Sequence, residues 1–277
     1  MKKYLKLTNF EFNRFSKFYA SLIVLITLIQ LTSVFTYARS YMNQVKELFY
    51  EESLTEVAVL ERIGPASMVQ VTRQSLFALP IAFAVGGMML YCFFIWYREW
   101  SGKNTFIYRL LMLPTERINI FFSKLTVVFT SILGLIATQI ILLAVGNWLL
   151  QAIVPADFML NLNTIEIAGS SNLLYYFIPT SFIDFLIYYG MGFVFLIVLF
   201  TVILLERSFH IPGIFMGVLY AFISGIIFFS PFLLELTMEV DILYSSEKLL
   251  LNFATGILVS GISIWLSHYL LNKKITV

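Results

Sequence analysis

Apolar side chains fall into six long blocks along the chain, separated by shorter stretches where charges and turn-forming residues collect. The blocks cover residues 18–37, 75–97, 125–150, 183–205, 213–234 and 249–271. Each is close to the roughly 20 residues that a helix needs to cross the hydrocarbon core of a bilayer. An apolar, aromatic approach over 172–179 precedes the fourth block, and Pro179 separates it from the span. The pattern predicts an all-α polytopic membrane protein with six transmembrane helices, one transmembrane domain over 1–277.

Composition moves the same way. Hydrophobic residues make up 60% of the chain and charged residues 12%, with a mean hydropathy of +0.87. Soluble domains are nearer half apolar and a quarter charged. The charges are too few to cover a core of this size, so lipid must face most of the surface. The first apolar block is long enough to span, and no small-residue cleavage site follows a short apolar region, which predicts that the first helix is retained.

The remaining charges are sorted by side. Lys2, Lys3, Lys6, Arg14 and Lys17 precede the first block, while Arg98, Lys103, Arg109, Arg117 and Lys124 lie between the second and third. Arg207, Lys273 and Lys274 join them on the same side, leaving only Arg39, Lys46, Arg62, Arg73 and Lys248 on the other. Loops rich in Lys and Arg face the cytoplasm. An even number of spans then places both termini in the cytoplasm. The outer stretch 38–74 is acidic, with Glu47, Glu51, Glu52, Glu56 and Glu61. It reads as helical as far as Gly64 and prolongs the first helix beyond the membrane, without the size of a separate domain.

Catalytic motifs are missing. His210 and His268 have no metal-ligand neighbour at i+3 or i+4, and no H-E-x-x-H, C-x-x-C or G-x-S-x-G occurs. Without G-x-x-x-x-G-K-[ST] the chain does not hydrolyse ATP by the P-loop route. It reads as no enzyme, with no metal or cofactor of its own and no nucleic-acid partner. The single cysteine, Cys92, excludes an intrachain disulfide. Charge at membrane depth is costly and usually functional, and only Asp184, near the outer end of the fourth block, qualifies. Two readings stand for it: a hydrated interfacial carboxylate, or a residue of a transport pathway. No proton relay and no converging polar set for an intramembrane enzyme is visible.

Two cytoplasmic segments carry more information. At 100° per residue over 1–17, Lys2, Lys3, Lys6, Arg14 and Lys17 share one face, and Tyr4, Leu5, Leu7, Phe12 and Phe15 share the other. Thr8 and Glu11 intrude. This is the pattern of a basic amphipathic helix lying in the membrane interface, or of a flank that only enforces topology. The loop 98–124 contains an apolar helical stretch over 106–113, stopped by Pro114, after which Thr115 is a candidate N-cap for the third span with Glu116 in its first turn. Composition fits a docking helix for another protein as well as an interfacial turn facing lipid.

The stretch TFIYRLLMLPTERINIFFSKLTVVF resembles the six-span membrane subunits of ABC-type exporters, the permease class of bacterial drug, peptide and polysaccharide exporters. Members carry an apolar helix ending in L-x-L-P, a short polar stretch with an arginine, an apolar pair and a lysine entering the third span. Leu110, Leu111, Leu113, Pro114, Thr115, Glu116, Arg117, Ile118 and Lys124 occupy those positions. The resemblance implies a coupling helix that docks on a separate ATPase through Phe106, Ile107, Arg109, Leu110, Leu111, Leu113, Pro114, Glu116 and Arg117. It also implies a second permease subunit, identical or related, membrane lipid around the pair, and ATP and Mg held by the ATPase. The implied function is export of an amphipathic, peptide- or lipid-like substrate. The alternative is a non-transporting component (immunity, sensor or assembly factor) docking the same ATPase. The connection 235–248 is shorter than the outer helices of some members, and 38–74 is longer than in others.

Overall fold

A computed structural model describes residues 2–50, 52–100, 106–112, 114–238 and 244–275. The chain is an all-α polytopic membrane protein, 87% helical, and among the described residues six helices are long and apolar enough to cross a membrane. These are α1 (Lys2–Tyr50), α4 (Ser75–Trp100), α6 (Ile118–Ile153), α8 (Phe182–Phe209), α9 (Ile211–Met238) and α10 (Ser245–Tyr269). Short helices α2 (Glu56–Ile63), α3 (Met68–Thr72), α5 (Phe106–Leu111) and α7 (Thr164–Ser170) lie between them, and α10 ends in a π-turn, Leu270–Lys274. Five of the apolar blocks fall inside one long helix each, and the sixth covers α10 and the first two residues of the π-turn.

Neither glycine nor proline occurs between Lys2 and Tyr50, so no residue interrupts the first helix. Its 49 residues cover about 73 Å at 1.5 Å per residue, more than twice the thickness of a bilayer's hydrocarbon core. The segment 1–17, expected as an interfacial helix of its own, is the opening part of this unbroken helix. Downstream, the helix runs past the first apolar block as far as Tyr50, and the rest of the stretch read as helical up to Gly64 is the separate helix α2.

The described residues fall into two compact units. One comprises Met1–Arg14, Met89–Phe129 and Leu186–Val277, the other Phe15–Met88 and Thr130–Phe185. In the second unit the stretches between spans are more than connectors. Val34, Ala38, Tyr41 and Val45 form a buried stripe of α1 at helical spacing, packed with Val59, Ala66, Met68, Val71, Phe77, Leu143, Phe158 and Ile167. The Tyr41 hydroxyl donates to the carbonyls of Gly64 and Phe158, at 2.8 and 3.3 Å. Ala66 N donates to Phe158 O and its carbonyl accepts from Leu160 N, at 2.8 and 2.9 Å, closing a single β-bridge. Gly64 makes this turn possible: it caps α2 with φ +71, a conformation that side chains rarely adopt. A reciprocal capping box between Asn163 and Glu166 starts α7.

In the first unit, α8 and α9 form a tight hairpin. Only His210 separates Phe209 from Ile211, and it holds a left-handed φ of +56. A Cβ on Gly213 would lie 2.4 Å from the Leu205 carbonyl oxygen, so the two backbones meet there because glycine has none. Hydroxyls tie in α10: Thr201 and Ser267 share a hydrogen bond of 3.0 Å, and Tyr220 and Ser263 one of 2.6 Å. Gly213→Ala forces these backbones apart and is expected to cost about 1–3 kcal/mol, as overpacking does. A lowered midpoint of thermal unfolding in detergent checks it; an unchanged midpoint contradicts the close approach.

Candidate functional site

Three helix ends of the first unit each bury an apolar stripe that contains one charge. On α1 the stripe is Leu7 and Glu11; on α4 it is Ile95, Trp96 and Glu99; on α6 it is Ile120, Phe121, Lys124 and Leu125. The i, i+4 spacing brings Glu11, Glu99 and Lys124 to the helix–helix contact. Lys124 is fully buried, and its ammonium uses all three donors. Glu11 Oε1 accepts at 2.6 Å, the Ile95 carbonyl at 2.9 Å and Glu99 Oε1 at 3.3 Å. Arg98 donates to Glu11 Oε2 at 3.0 Å, and Arg14 donates to Glu99 Oε1 at 2.9 Å. Three cations thus share two carboxylates. Below them the Trp96 ring faces Lys124 at 5.4 Å and meets Phe200 of α8 edge-on at 5.5 Å, with Phe121 completing the aromatic floor.

The loop helix α5 is built onto this cluster. Phe106 stacks on Phe10 with ring centroids 5.9 Å apart, and the Arg14 guanidinium covers both rings at 5.2 Å. Arg14 therefore connects α5 to Glu99 through one side chain. Ile107, Leu110 and Leu111 are buried within the chain. The apolar face read as a surface for another protein is thus largely occupied by the protein itself. What stays outward is Arg109, Met112 (69% exposed), Pro114 and Glu116. Lys3 donates to the Pro114 carbonyl, and Arg117 donates to the carbonyls of Leu271 and Ile275 at 2.8 and 3.2 Å, fixing the loop to both chain ends. Leu113 and Lys103 lie outside the described residues.

Thr115 does not cap the third span. Its hydroxyl accepts from the Asn119 side chain at 2.9 Å, and α6 begins three residues later, at Ile118. Asp184 belongs to the other unit, in the first turn of α8. There Ser181 Oγ accepts from the Asp184 backbone N–H and donates to the Asp184 carboxylate, at 3.1 and 2.6 Å. This is a helix cap, and it gives the carboxylate a local partner.

Sequence reasoning missed the charge cluster because it counted Glu11 as an intruder on an amphipathic face and Lys124 as a topological charge. The available signal was the break in the Leu7–Glu11–Phe15 stripe by a carboxylate that only a buried cation can balance.

Fold and site together define a multi-pass helical membrane protein with a charge-locked helix junction and a short helix docked on it. The chain matches no family model, no curated protein and no solved structure.

Removing one partner of a buried ion pair costs about 3–5 kcal/mol because a charge is left uncompensated. Glu11→Gln, which leaves three cations on Glu99 alone, is expected to lose stability on that scale, and Lys124→Met added to it to restore part of the loss. Unfolding in detergent followed by size-exclusion chromatography measures both. Strict additivity of the two substitutions would show that Lys124 and Glu11 do not interact.

Proposed function

We propose that the chain is the permease subunit of an ABC-type exporter, with ATP hydrolysed by a separate ATPase. The observation that carries this reading is the attachment of α5 to the buried charge cluster through Phe106, Phe10, Arg14 and Glu99. A coupling element has to pass a push from a partner into the spans. A loosely tethered loop would absorb it, whereas α5 is stacked on the start of α1 and tied through Arg14 to Glu99 of α4. The sequence resemblance over 106–124 and the basic bias of this face, which assigns it to the cytoplasm, point the same way.

In this reading the ATPase grips the outward edge of α5, at Arg109, Met112, Pro114 and Glu116, on the cytoplasmic face of a bacterial cell membrane. Closure of an ATPase dimer displaces α5, and the three helix ends follow. Coupling requires that the ATPase contact this edge differently in its two states. Two permease subunits, identical or related, enclose the pathway. An amphipathic, peptide- or lipid-like cargo suits the apolar, phenylalanine-rich spans.

Because Leu110 is buried, an Asp there would damage the fold before it tested docking. The discriminating substitutions are on the exposed edge: Arg109→Glu with Met112→Asp. This variant is expected to elute like the wild type but to lose a P-loop ATPase from mild-detergent pull-downs, scored by mass spectrometry of the co-eluting proteins. Recovery of an ATPase in equal amount with both proteins would sink the assignment of this edge. Its absence from wild-type pull-downs would sink the transporter reading.

A further inference from the structure

The end of α4, the α8–α9 turn and the π-turn after α10 enclose a second polar feature, a cavity of about 470 Å³. Trp100, Glu206, Arg207, His210 and Lys274 are among its lining residues. Two of these carry a buried nitrogen with no hydrogen-bond partner: Trp100 Nε1 and Arg207 Nε. An indole N–H and a guanidinium N–H can only donate. Each is a donor without an acceptor among the described residues, in a side chain that lines a cavity with two cations.

The charges agree. Among the described residues neither Arg207 nor Lys274 forms an ion pair. Both are held by rings instead. The Arg207 guanidinium lies over Tyr97 at 4.3 Å and Trp100 at 5.9 Å, and the Lys274 ammonium lies over Phe209 at 5.4 Å. Cation–π contacts fix a cation without neutralising it. The carboxylate in the lining, Glu206, already accepts from the Tyr97 hydroxyl. Ile211, where the 28-residue helix α9 begins, also lines the cavity, so the positive end of a helix dipole adds to the two cations. His210 turns the chain there in a left-handed conformation that costs energy in a residue other than glycine.

We propose that this cavity binds a phosphate group at the membrane surface. Arg207 and Lys274 supply the charge, and the Trp100 indole supplies a directed donor. The phosphate of an anionic phospholipid head and a free phosphate ion share this chemistry. The site does not depend on an ATPase partner and stands apart from the transport reading.

Native mass spectrometry of the purified chain, with phosphatidylglycerol or phosphatidylcholine added and inorganic phosphate as competitor, tests it. Loss of hydrogen bonds to a charged group predicts that Arg207→Gln with Lys274→Gln lowers phosphatidylglycerol retention about tenfold. Trp100→Phe keeps the ring under Arg207 and removes only the N–H, so it is expected to lower retention about threefold. Retention of phosphatidylglycerol over phosphatidylcholine, lost in these variants, supports a lipid phosphate. Phosphate binding by the wild type without lipid preference, also lost in the variants, supports the same site with a soluble source. Equal retention of both lipids with no bound phosphate overturns the proposal, as does binding that is unchanged in both variants. Wild-type selectivity decides the matter even if the double variant misfolds.

Discussion

An ammonium group with no exposure to solvent can remain charged only if the protein replaces its water, and the junction of α1, α4 and α6 is arranged around that demand. Lys124 gets its three acceptors from two other helices, one carboxylate from α1 and a carboxylate plus a carbonyl from α4. Each carboxylate then needs a further cation, and Arg98 and Arg14 provide it. None of these groups can slide by a helical turn without leaving a buried charge alone, which costs several kcal/mol. A hydrocarbon core of equal volume would hold the helices together as well, but it would tolerate slippage. The cluster contributes register more than net adhesion.

Register matters here because of what is attached. Arg14 is shared: its guanidinium pairs with Glu99 and also lies over the Phe10–Phe106 stack. The short helix α5, too short to be stable alone, takes its position from that stack and from the burial of Ile107, Leu110 and Leu111. Displacing α5 disturbs Arg14, and disturbing Arg14 unbalances Glu99 and Lys124. One side chain, Arg14, thus links the loop helix to the charges that join the ends of three spans.

Much of the fold was legible because lipid imposes a simple rule on sequence. Six blocks of sufficient length become six helices, and a stretch free of glycine and proline stays helical from Lys2 to Tyr50. Contacts between distant residues left no such trace. Val59, Met68, Phe158 and Ile167 share a core, yet each sits in a short segment whose pattern reads as a modest loop. The apolar face of 106–113 looked available to a partner because nothing local shows that the chain buries Ile107, Leu110 and Leu111 itself. Glu11 was judged against the average polarity of its face, while its partners lie more than eighty residues away at Arg98 and Lys124.

The last turn of α4 joins the two polar features of this unit. Glu99 belongs to the buried charge cluster, while its neighbour Trp100 lines the cavity at the α8–α9 turn. One residue along a helix is a rotation of about 100°, so consecutive side chains serve different neighbours while sharing one backbone. Arg207 reinforces the connection, because its guanidinium lies over rings at both Tyr97 and Trp100. The same turn of α4 thus positions members of the charge cluster and a wall of the cavity, so its placement sets the geometry of both.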